Sequence, residues 1–310
     1  MTISDRGVIT LAYGKLKYIE MAKTLARSLK LHSPHISLAI VTDYQNDQEL
    51  IELFDIVIPL NKDYGSNVRQ KLHLNNYSPY NKTIFIDSDC IVVRDIQFIF
   101  EALKGISFTV PGEKFLSFGD GDEDNLCDLN RVLSYFSLER LPKFNGGMYY
   151  FEKGDIAKAV FETAQVILPD WKQLGFYEFQ GDGPGDEPII AVAMMLHNQN
   201  MYQDNGSMMR TPIGICGSLK VDVLTGISNF KKGSKEVAPA IVHFAGKWSK
   251  HYVYYREASK LKYLITTNFH KPKPQIFAKI QYNYSPQIAW SRYFVEKLLN
   301  IAQKFINKFS

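Results

Sequence analysis

Short apolar runs alternate with helical patterns through the first third of the chain, and this alternation constrains the fold more than any other feature. The runs at residues 8–12, 36–41 and 56–60 predict buried strands. Apolar residues at helical spacing over residues 18–31, and a shorter pattern at 50–54, predict helices between them. Strands and helices in this order are typical of a parallel sheet with crossover helices. We therefore predict an α/β fold.

A fourth predicted strand, residues 83–86, runs directly into Asp87, Ser88 and Asp89, and apolar residues follow at 91–93. Open α/β sheets bind ligands at the carboxyl ends of their strands. Two carboxylates between buried segments are costly to desolvate unless a cation meets them. Mn²⁺ or Mg²⁺ bridging to a diphosphate is such a cation, so the pair predicts a divalent metal site. An ordinary pair of charges at a strand end is the alternative.

A second acidic cluster has the same spacing but a different setting. Its three aspartates alternate between positions 120 and 124, and no predicted strand leads into them. As a calcium-binding EF-hand it fails, because Asn125 stands where the turn glycine belongs and Arg131 where the bidentate glutamate belongs. We predict that residues 114–128 form a solvated polar loop, with substrate contact as the alternative.

The remaining patterns complete the predicted domain. Further helices are predicted at residues 72–77, 98–103, 155–168 and 188–196, and further strands at 107–110, 144–151 and 241–244. Glycines in the 144–151 strand permit close backbone approach to a bound ligand, although tight strand packing explains them equally well. Asp186, at the start of the 188–196 helix, would serve as a simple cap if it has no other role.

Five segments of the chain, in order, resemble motifs of the GT-A glycosyltransferases, closest to family 8 and the glycogenin-type enzymes. The segments are GVITLAYGKLKYIEMAKTLARSL, RQKLHLNNYSPYNKTIFIDSDCIVV, FNGGMYYF, GDEPIIAV and VHFAGKWSK, which together span residues 7–250. The resemblance implies the GT-A fold, a Rossmann-like, mainly parallel sheet flanked by helices. It also implies metal-dependent transfer of a hexose from a nucleotide sugar, with a UDP-sugar the expected donor, to a hydroxyl of a glycan, lipid or protein.

The same resemblance implies roles for the motif residues. The metal ligands would be Asp87, Asp89 and His243. The residues implied to bind the donor are Thr10, Leu11, Ala12, Tyr13, Lys71, Asp87, Ser88, Asn145, Gly146, Gly147, Gly246, Lys247 and Lys250. The family's terminal lysine lies six residues after the histidine, where this chain has Ser249, so the choice between Lys247 and Lys250 stays open.

Asp186 and Glu187 are the implied catalytic residues. Asp186 would bind hydroxyls of the donor sugar, and position 187 would lie near the anomeric carbon. Family 8 enzymes commonly have Gln there. The family is typical of retention, in which Glu187 would stabilise an oxocarbenium-like state. A general base, Glu187 or Asp186, would instead give inversion, so both outcomes stay open.

Two other classes of enzyme lack their motifs in this chain. A dehydrogenase requires GxGxxG after the first strand, and a P-loop NTPase requires GxxxxGK[ST]; the sequence has neither. A non-catalytic protein that binds sugar nucleotides or a membrane remains the rival from another class.

The end of the chain differs from the body in charge. Residues 250–310 carry 11 Lys/Arg and 2 Asp/Glu, although the whole chain has a net charge of only +4. Apolar residues over 290–310 fall on one helix face, with lysines elsewhere. We therefore predict a catalytic domain at residues 1–250 and a basic amphipathic helical tail at 251–310. The tail either packs on the domain or contacts an anionic membrane surface.

Location and other partners follow from what the sequence lacks. The N-terminal residues do not have the pattern of a secretory signal, and the three cysteines have no CxxC spacing. We expect a cytoplasmic protein, peripheral on the inner membrane surface if the tail binds lipid. The basic residues accompany no known nucleic-acid-binding motif, so we predict no nucleic-acid partner.

Overall fold

A computed structural model describes residues 4–120, 127–179 and 183–266. The predicted amphipathic helix at 290–310 lies outside the described residues, as do the aspartates at 122 and 124. Of the helices in the described part of the chain, none combines the length and the apolar character needed to cross a membrane.

The strands of the described residues are β1 (Arg6–Leu11), β2 (Ser37–Thr42), β3 (Ile56–Pro59), β4 (Lys82–Ile86), β5 (Cys90–Val92), β6 (Phe108–Thr109), β7 (Pro111–Ser117), β8 (Arg140–Phe144), β9 (Met148–Glu152), β10 (Tyr202–Gln203), β11 (Met209–Arg210), β12 (Ile215–Asp222), β13 (Ile227–Lys232), β14 (Lys235–Val237) and β15 (Ile241–His243). The α-helices are α1 (Leu16–His32), α2 (Gln48–Leu53), α3 (Val68–Lys71), α4 (Leu74–Tyr77), α5 (Gln97–Leu103), α6 (Leu129–Phe136), α7 (Asp155–Ile167), α8 (Trp171–Leu174), α9 (Asp186–Leu196) and α10 (Tyr252–Thr266). Short 3₁₀ turns occur at Lys62–Tyr64, Leu168–Asp170 and Gly246–Lys250.

The central sheet has the strand order β3-β2-β1-β4-β9-β6. β3, β2, β1 and β4 are parallel, and β9 is antiparallel to both of its neighbours. Both faces of the sheet are buried: Val8 and Ile84 pack under α1, whereas Ile9 and Phe85 belong to the cluster that includes α7 and α9. Strands buried on both faces read as continuous apolar runs, which is why the sequence predicted them. The predicted α/β fold with a mainly parallel sheet is confirmed.

Two of the sequence predictions were wrong near the middle of the chain. The single strand predicted at 144–151 is two strands, β8 and β9, separated by Asn145, Gly146 and Gly147. The loop predicted at 114–128 begins inside β7, which pairs antiparallel with β8. Backbone pairing with β8 holds β7 in place, and its outer residues are exposed, so its sequence lacks a strong apolar pattern. The helix predicted at 72–77 is shorter in the structure, where α3 ends at Lys71 and α4 begins at Leu74.

The chain after β15 packs on the body of the protein. Val253 and Tyr254 of α10 share an apolar cluster with Phe244 and Ile91. Glu257 is fully buried and accepts a hydrogen bond of 2.8 Å from the backbone N–H of Val223, next to the meander β12–β13–β14. The sequence did not predict this meander. The division of the chain at residue 250 stays a prediction, because most of the tail lies outside the described residues.

Candidate functional site

Strand register brings the two strand-end aspartates next to a histidine that is more than 150 positions away in the sequence. β4 ends at Ile86, and the turn that carries Asp87 and Asp89 leads into β5. β15 pairs antiparallel with β5, with His243 directly opposite Cys90. The imidazole therefore lies beside the turn that follows β4, at the carboxyl edge of the central sheet.

Both aspartates of the turn lie on the Nε2 side of the His243 imidazole. His243 Nε2 lies 3.0 Å from Asp89 Oδ1 and 3.8 Å from Asp87 Oδ2. On its other side, His243 Nδ1 is hydrogen-bonded to Asn145 Oδ1. An amide oxygen only accepts, so Nδ1 carries a proton and Nε2 is the nitrogen that faces the carboxylates. A histidine held in this way, with its second nitrogen fixed by an outer partner, is typical of a metal ligand.

His243 and the two aspartates shift one another's pKa values. Burial disfavours a charged imidazole, but Asp89 and Asp87 outweigh it and raise the pKa of His243. Burial likewise opposes ionisation of Asp89, yet His243 beside it lowers the pKa of that carboxyl. Burial raises the pKa of Asp87 in spite of its cationic neighbours. The two acids thus require positive charge close to them, which a proton on His243 or a bound cation supplies.

The donor atoms fit a hard divalent ion. Two carboxylate oxygens and an imidazole nitrogen are ligands that Mn²⁺ accepts, and the oxygens also suit Mg²⁺. The thiol of Cys90 also lies near, since ligand atoms of Asp89, Cys90 and His243 are all within 4.8 Å of one another, a group that does not include Asp87. Cys90 is buried, its Sγ lies 3.9 Å from the carbonyl of Gly147, and burial raises its pKa well above the ordinary value. A neutral thiol is a poor ligand for a hard ion, so the oxygen and nitrogen set fits better.

Lys71 joins the aspartate turn to the start of α9. Its Nζ donates to Asp87 Oδ2 at 2.9 Å, to Asp186 Oδ2 at 3.0 Å and to the carbonyl of Gly146 at 3.3 Å. Burial disfavours the ammonium, but the two carboxylates outweigh it and raise the pKa of Lys71. The lysine is therefore a permanent cation at the centre of the site. In the described conformation it neutralises part of the acidic cluster.

Asp186 and Glu187 form the first turn of α9 and point in different directions. The N-cap is Gly185, with no capping side chain, so the alternative of a simple cap does not describe Asp186. Its Oδ2 instead accepts from Lys71 and from the hydroxyl of Tyr149. Tyr149 was not among the residues that the sequence singled out, although it lies within a motif that resembles family 8. Asp186 is thus held in place by a lysine and a tyrosine hydroxyl.

Glu187 is held by the turn between β8 and β9. Its Oε1 accepts a 2.7 Å hydrogen bond from the backbone N–H of Gly146 and a 3.4 Å one from Asn145 Nδ2. Burial, with the nearby Asp186 carboxylate, raises the pKa of Glu187 to about 7. Asn145 thus contacts both the candidate metal ligand His243 and the candidate catalytic carboxylate. Near neutral pH, Glu187 exists in both protonation states.

The two glycines after Asn145 make room for the side chains of the site. A Cβ at position 147 would lie 2.3 Å from His243 Nδ1, and one at 146 would lie 2.8 Å from Asp186 Oδ2. Any larger residue would displace these groups. The close approach that the glycines permit is thus to the side chains of His243 and Asp186, and contact of the same backbone with a sugar stays a prediction.

A cavity of about 900 Å³ opens over this cluster. The predicted site residues on its wall are Lys71, Asp87, Asp89, Asn145, Gly146, Asp186, Glu187, His243 and Gly246. The predicted site residues that are not on its wall are Thr10, Leu11, Ala12, Tyr13, Ser88, Gly147, Lys247 and Lys250. The wall also contains residues that the sequence did not single out, from β7, β8 and the meander.

Apart from Ser88 and Gly147, the predicted donor residues outside the cavity wall fall into two groups. Thr10 is buried, and Tyr13 is half-buried beyond the carboxyl end of β1, followed by Gly14, whose N–H donates to both oxygens of Asp43 at 3.1 and 3.2 Å. Lys247 and Lys250 are exposed on the 3₁₀ turn after β15. The described structure does not choose between these two lysines, and the roles of both groups stay predictions.

Comparison with known protein structures identifies the fold. No protein-family model and no curated protein sequence matches the chain. The crystal structure of the galactosyltransferase LgtC in complex with donor and acceptor sugar analogs matches with a TM-score of 0.56 at 14% identity, covering 86% of this chain and 98% of that one. An active-site Gln-to-Glu mutant of LgtC matches with a TM-score of 0.55 at the same identity and coverage. This chain has the GT-A fold.

Proposed function

We propose that the protein is a metal-dependent glycosyltransferase that moves a hexose from a UDP-sugar to a hydroxyl of a glycan, lipid or protein. The convergence of Asp87, Asp89 and His243 at the carboxyl edge of a GT-A sheet carries this proposal. LgtC has the same fold and is described with both a donor and an acceptor sugar analog, which supports two sugar substrates here.

The residues of the site suit departure of a nucleotide diphosphate. Asp87, Asp89 and His243 would hold Mn²⁺ or Mg²⁺, which when bound supplies a Lewis acid that neutralises the negative charge of the leaving group. Lys71 keeps Asp87 and Asp186 in place and adds a fixed positive charge. Thr10 to Tyr13, with Tyr13 beside the base, would hold the nucleoside, and Lys247 or Lys250 would contact the diphosphate.

We propose retention as the outcome, with Glu187 stabilising positive charge on the sugar. Its Oε1 is held by Gly146 and Asn145, so the carboxylate is fixed in one position. Inversion is the second candidate, because a pKa of about 7 also suits a general base. The anomeric configuration of the first product formed, read by proton NMR, separates the two outcomes.

Hydrolysis of UDP-sugars in the presence of Mn²⁺ tests the activity without knowledge of the acceptor. We expect slow release of UDP from at least one sugar of a UDP-hexose panel, and loss of that release on chelation. Asp89→Asn should remove it and should also remove the thermal shift produced by Mn²⁺ with UDP. Asp170→Asn is the matched control, because Asp170 is exposed and lies outside the cavity wall.

The results also separate an enzyme from a non-catalytic binder. A thermal shift with Mn²⁺ and UDP, but no release of UDP from any sugar with or without acceptors, would favour the binder. Equal shifts for wild type and Asp89→Asn would contradict the metal assignment. The contact of residues 290–310 with a membrane and a cytoplasmic location remain predictions of the sequence.

A further inference from the structure

Tyr149 of β9 carries a hydroxyl into the apolar interior of the protein. The residue is fully buried, and its ring packs against Phe85 and Phe144, with centroid distances of 5.4 and 6.2 Å. A buried tyrosine hydroxyl usually finds a hydrogen-bond partner, because leaving it without one is costly. The partner of this hydroxyl is Oδ2 of Asp186, in the first turn of α9.

Packing alone does not require a hydroxyl at this position. Phe151, two positions further along the same face of β9, belongs to the same apolar cluster as Tyr149 and has no polar group on its ring. A phenylalanine at position 149 would therefore suit the surroundings of the ring. The hydrogen bond to Asp186 is what distinguishes the tyrosine.

Both hydrogen bonds to the Asp186 carboxylate meet the same oxygen. Lys71 Nζ donates to Oδ2 at 3.0 Å, and the Tyr149 hydroxyl donates to Oδ2 as well. Within the described part of the chain, no residue donates to Oδ1. A carboxylate oxygen accepts about two hydrogen bonds, so Oδ2 is fully used and Oδ1 remains for a ligand. Asp186 lies on the wall of the cavity, where such a ligand would bind.

Lys71 by itself is a weaker support for this orientation. An ammonium has three N–H donors, and Lys71 shares its own among Asp186, Asp87 and the carbonyl of Gly146. A phosphate that enters the cavity competes for this lysine, which lies on the wall. Tyr149 is not on the wall, and burial, with Asp186 beside it, raises the pKa of its hydroxyl well above the ordinary value. The hydroxyl therefore keeps its proton and its bond to Asp186.

We propose that Tyr149 is a positioning residue, which holds the Asp186 carboxylate so that Oδ1 accepts a hydrogen bond from a hydroxyl of the donor hexose. This inference rests on the proposed function, because it concerns the hexose of the UDP-sugar in that same site. Tyr149 itself does not contact the hexose, since it lies behind Asp186 and outside the cavity wall. Its effect is expected on recognition of the hexose and not on recognition of UDP.

Tyr149→Phe tests the proposal, because phenylalanine keeps the ring among its aromatic neighbours and removes only the hydroxyl. The full-length protein with Mn²⁺ is titrated with UDP-glucose, UDP-galactose and UDP, and calorimetry gives the dissociation constants. The informative quantity is the ratio of the constant for a UDP-hexose to that for UDP. For the hexose that the wild type prefers, we expect this ratio to rise about tenfold, the usual value of a hydrogen bond to a charged group. The constant for UDP should stay unchanged.

Tyr150→Phe is the matched control. Tyr150 is the next residue of β9 and is equally buried, and its hydroxyl donates at 2.7 Å to Glu152 Oε1, away from the cavity wall. Loss of this hydroxyl should leave the ratio unchanged. Asp186→Ala should raise the ratio, and adding Tyr149→Phe to it should have no further effect, because the hydroxyl acts through that carboxylate.

Three results would overturn the proposal. Tyr149→Phe could keep the wild-type ratio, it could weaken UDP as much as the UDP-hexose, or it could raise the ratio further in the Asp186→Ala background. Equal weakening of both ligands is the result expected of a merely structural hydroxyl. Tyr149→Met is the second variant without the hydroxyl, with the same expected and contrary results, if Tyr149→Phe proves unstable in a thermal melt.

The failure of this inference is distinguishable from failure of the proposed function. Hydrolysis of a UDP-hexose with Mn²⁺ by the wild type reports on the proposed function and does not depend on any variant of Tyr149. Wild-type hydrolysis together with an unchanged ratio in Tyr149→Phe refutes only the role of Tyr149. A wild type that neither binds UDP nor hydrolyses a UDP-hexose refutes the proposed glycosyltransferase.

Discussion

Replacement of Glu187 by Gln should lower the rate of sugar transfer at high pH by at least about tenfold and should remove its dependence on pH. Glutamine keeps the size of the side chain and an oxygen that accepts from the N–H of Gly146, so the turn that holds position 187 is preserved. It removes the group whose pKa burial and Asp186 raise to about 7. The comparison therefore isolates ionisation at this position.

The expected effect follows from the position of that pKa. A rise of the pKa from 4.5 to about 7 means that the site, compared with water, favours the neutral form of Glu187 by about 3 kcal/mol more. Because the carboxyl is an acid, its active, ionised form is lost as pH falls through 7. At pH 6 about a tenth of the Glu187 side chains would be ionised, so the wild-type rate should lie about tenfold below its high-pH plateau.

The assay is UDP release from the best donor at saturating Mn²⁺, from pH 5.5 to 8.5. We expect a wild-type midpoint near pH 7 and a nearly flat profile for Glu187→Gln. Glu162→Gln, at an exposed position on α7, should keep the wild-type midpoint. An unchanged midpoint in Glu187→Gln would show that another group titrates, and the role assigned to Glu187 would be wrong.

Three further changes probe the surroundings of the site. Gly147→Ala places a methyl group 2.3 Å from His243 Nδ1, so we expect at least tenfold weaker Mn²⁺ binding by calorimetry; unchanged affinity would contradict the ligand role of that histidine. Lys71→Met leaves two partly buried carboxylates without their cation, at a cost of about 3 kcal/mol in unfolding free energy by urea titration, and equal stability would show that the ion pairs contribute little. Glu257→Ala removes a fully buried acceptor for the N–H of Val223, and a melting temperature several degrees lower is expected; a change within one degree would show that α10 does not depend on it.

Local sequence patterns were sufficient to predict most strands of the central sheet. β1, β2, β3 and β4 were all predicted close to their observed bounds, because strands buried on both faces consist of uninterrupted apolar residues. The position of the aspartate turn followed from the strand before it. The strand predicted at 144–151 was wrong, because its two halves are apolar enough to form one run and nothing local marks the turn except two glycines.

Lys114 and Lys143 of the cavity wall could not be found in the same way. Lys114 and Lys143 are 29 positions apart and belong to strands of mixed polarity, which pair with each other at the edge of the fold. Each lysine by itself reads as an ordinary solvated residue. Only the pairing of β7 with β8 places the two charges opposite one another beside the cavity.

The amino-acid sequence by itself determined the parallel sheet and the place of Asp87 and Asp89 at its carboxyl edge, because burial of apolar runs and the end of a strand are local properties. Resemblance pointed to His243, but only the tertiary structure decided that its imidazole lies 3.0 Å from Asp89, that Asn145 contacts both it and Glu187, and that Lys114 and Lys143 line one cavity. These relations depend on the register between strands that are distant in the chain. Register is set by the packing of the whole domain, which no short segment contains.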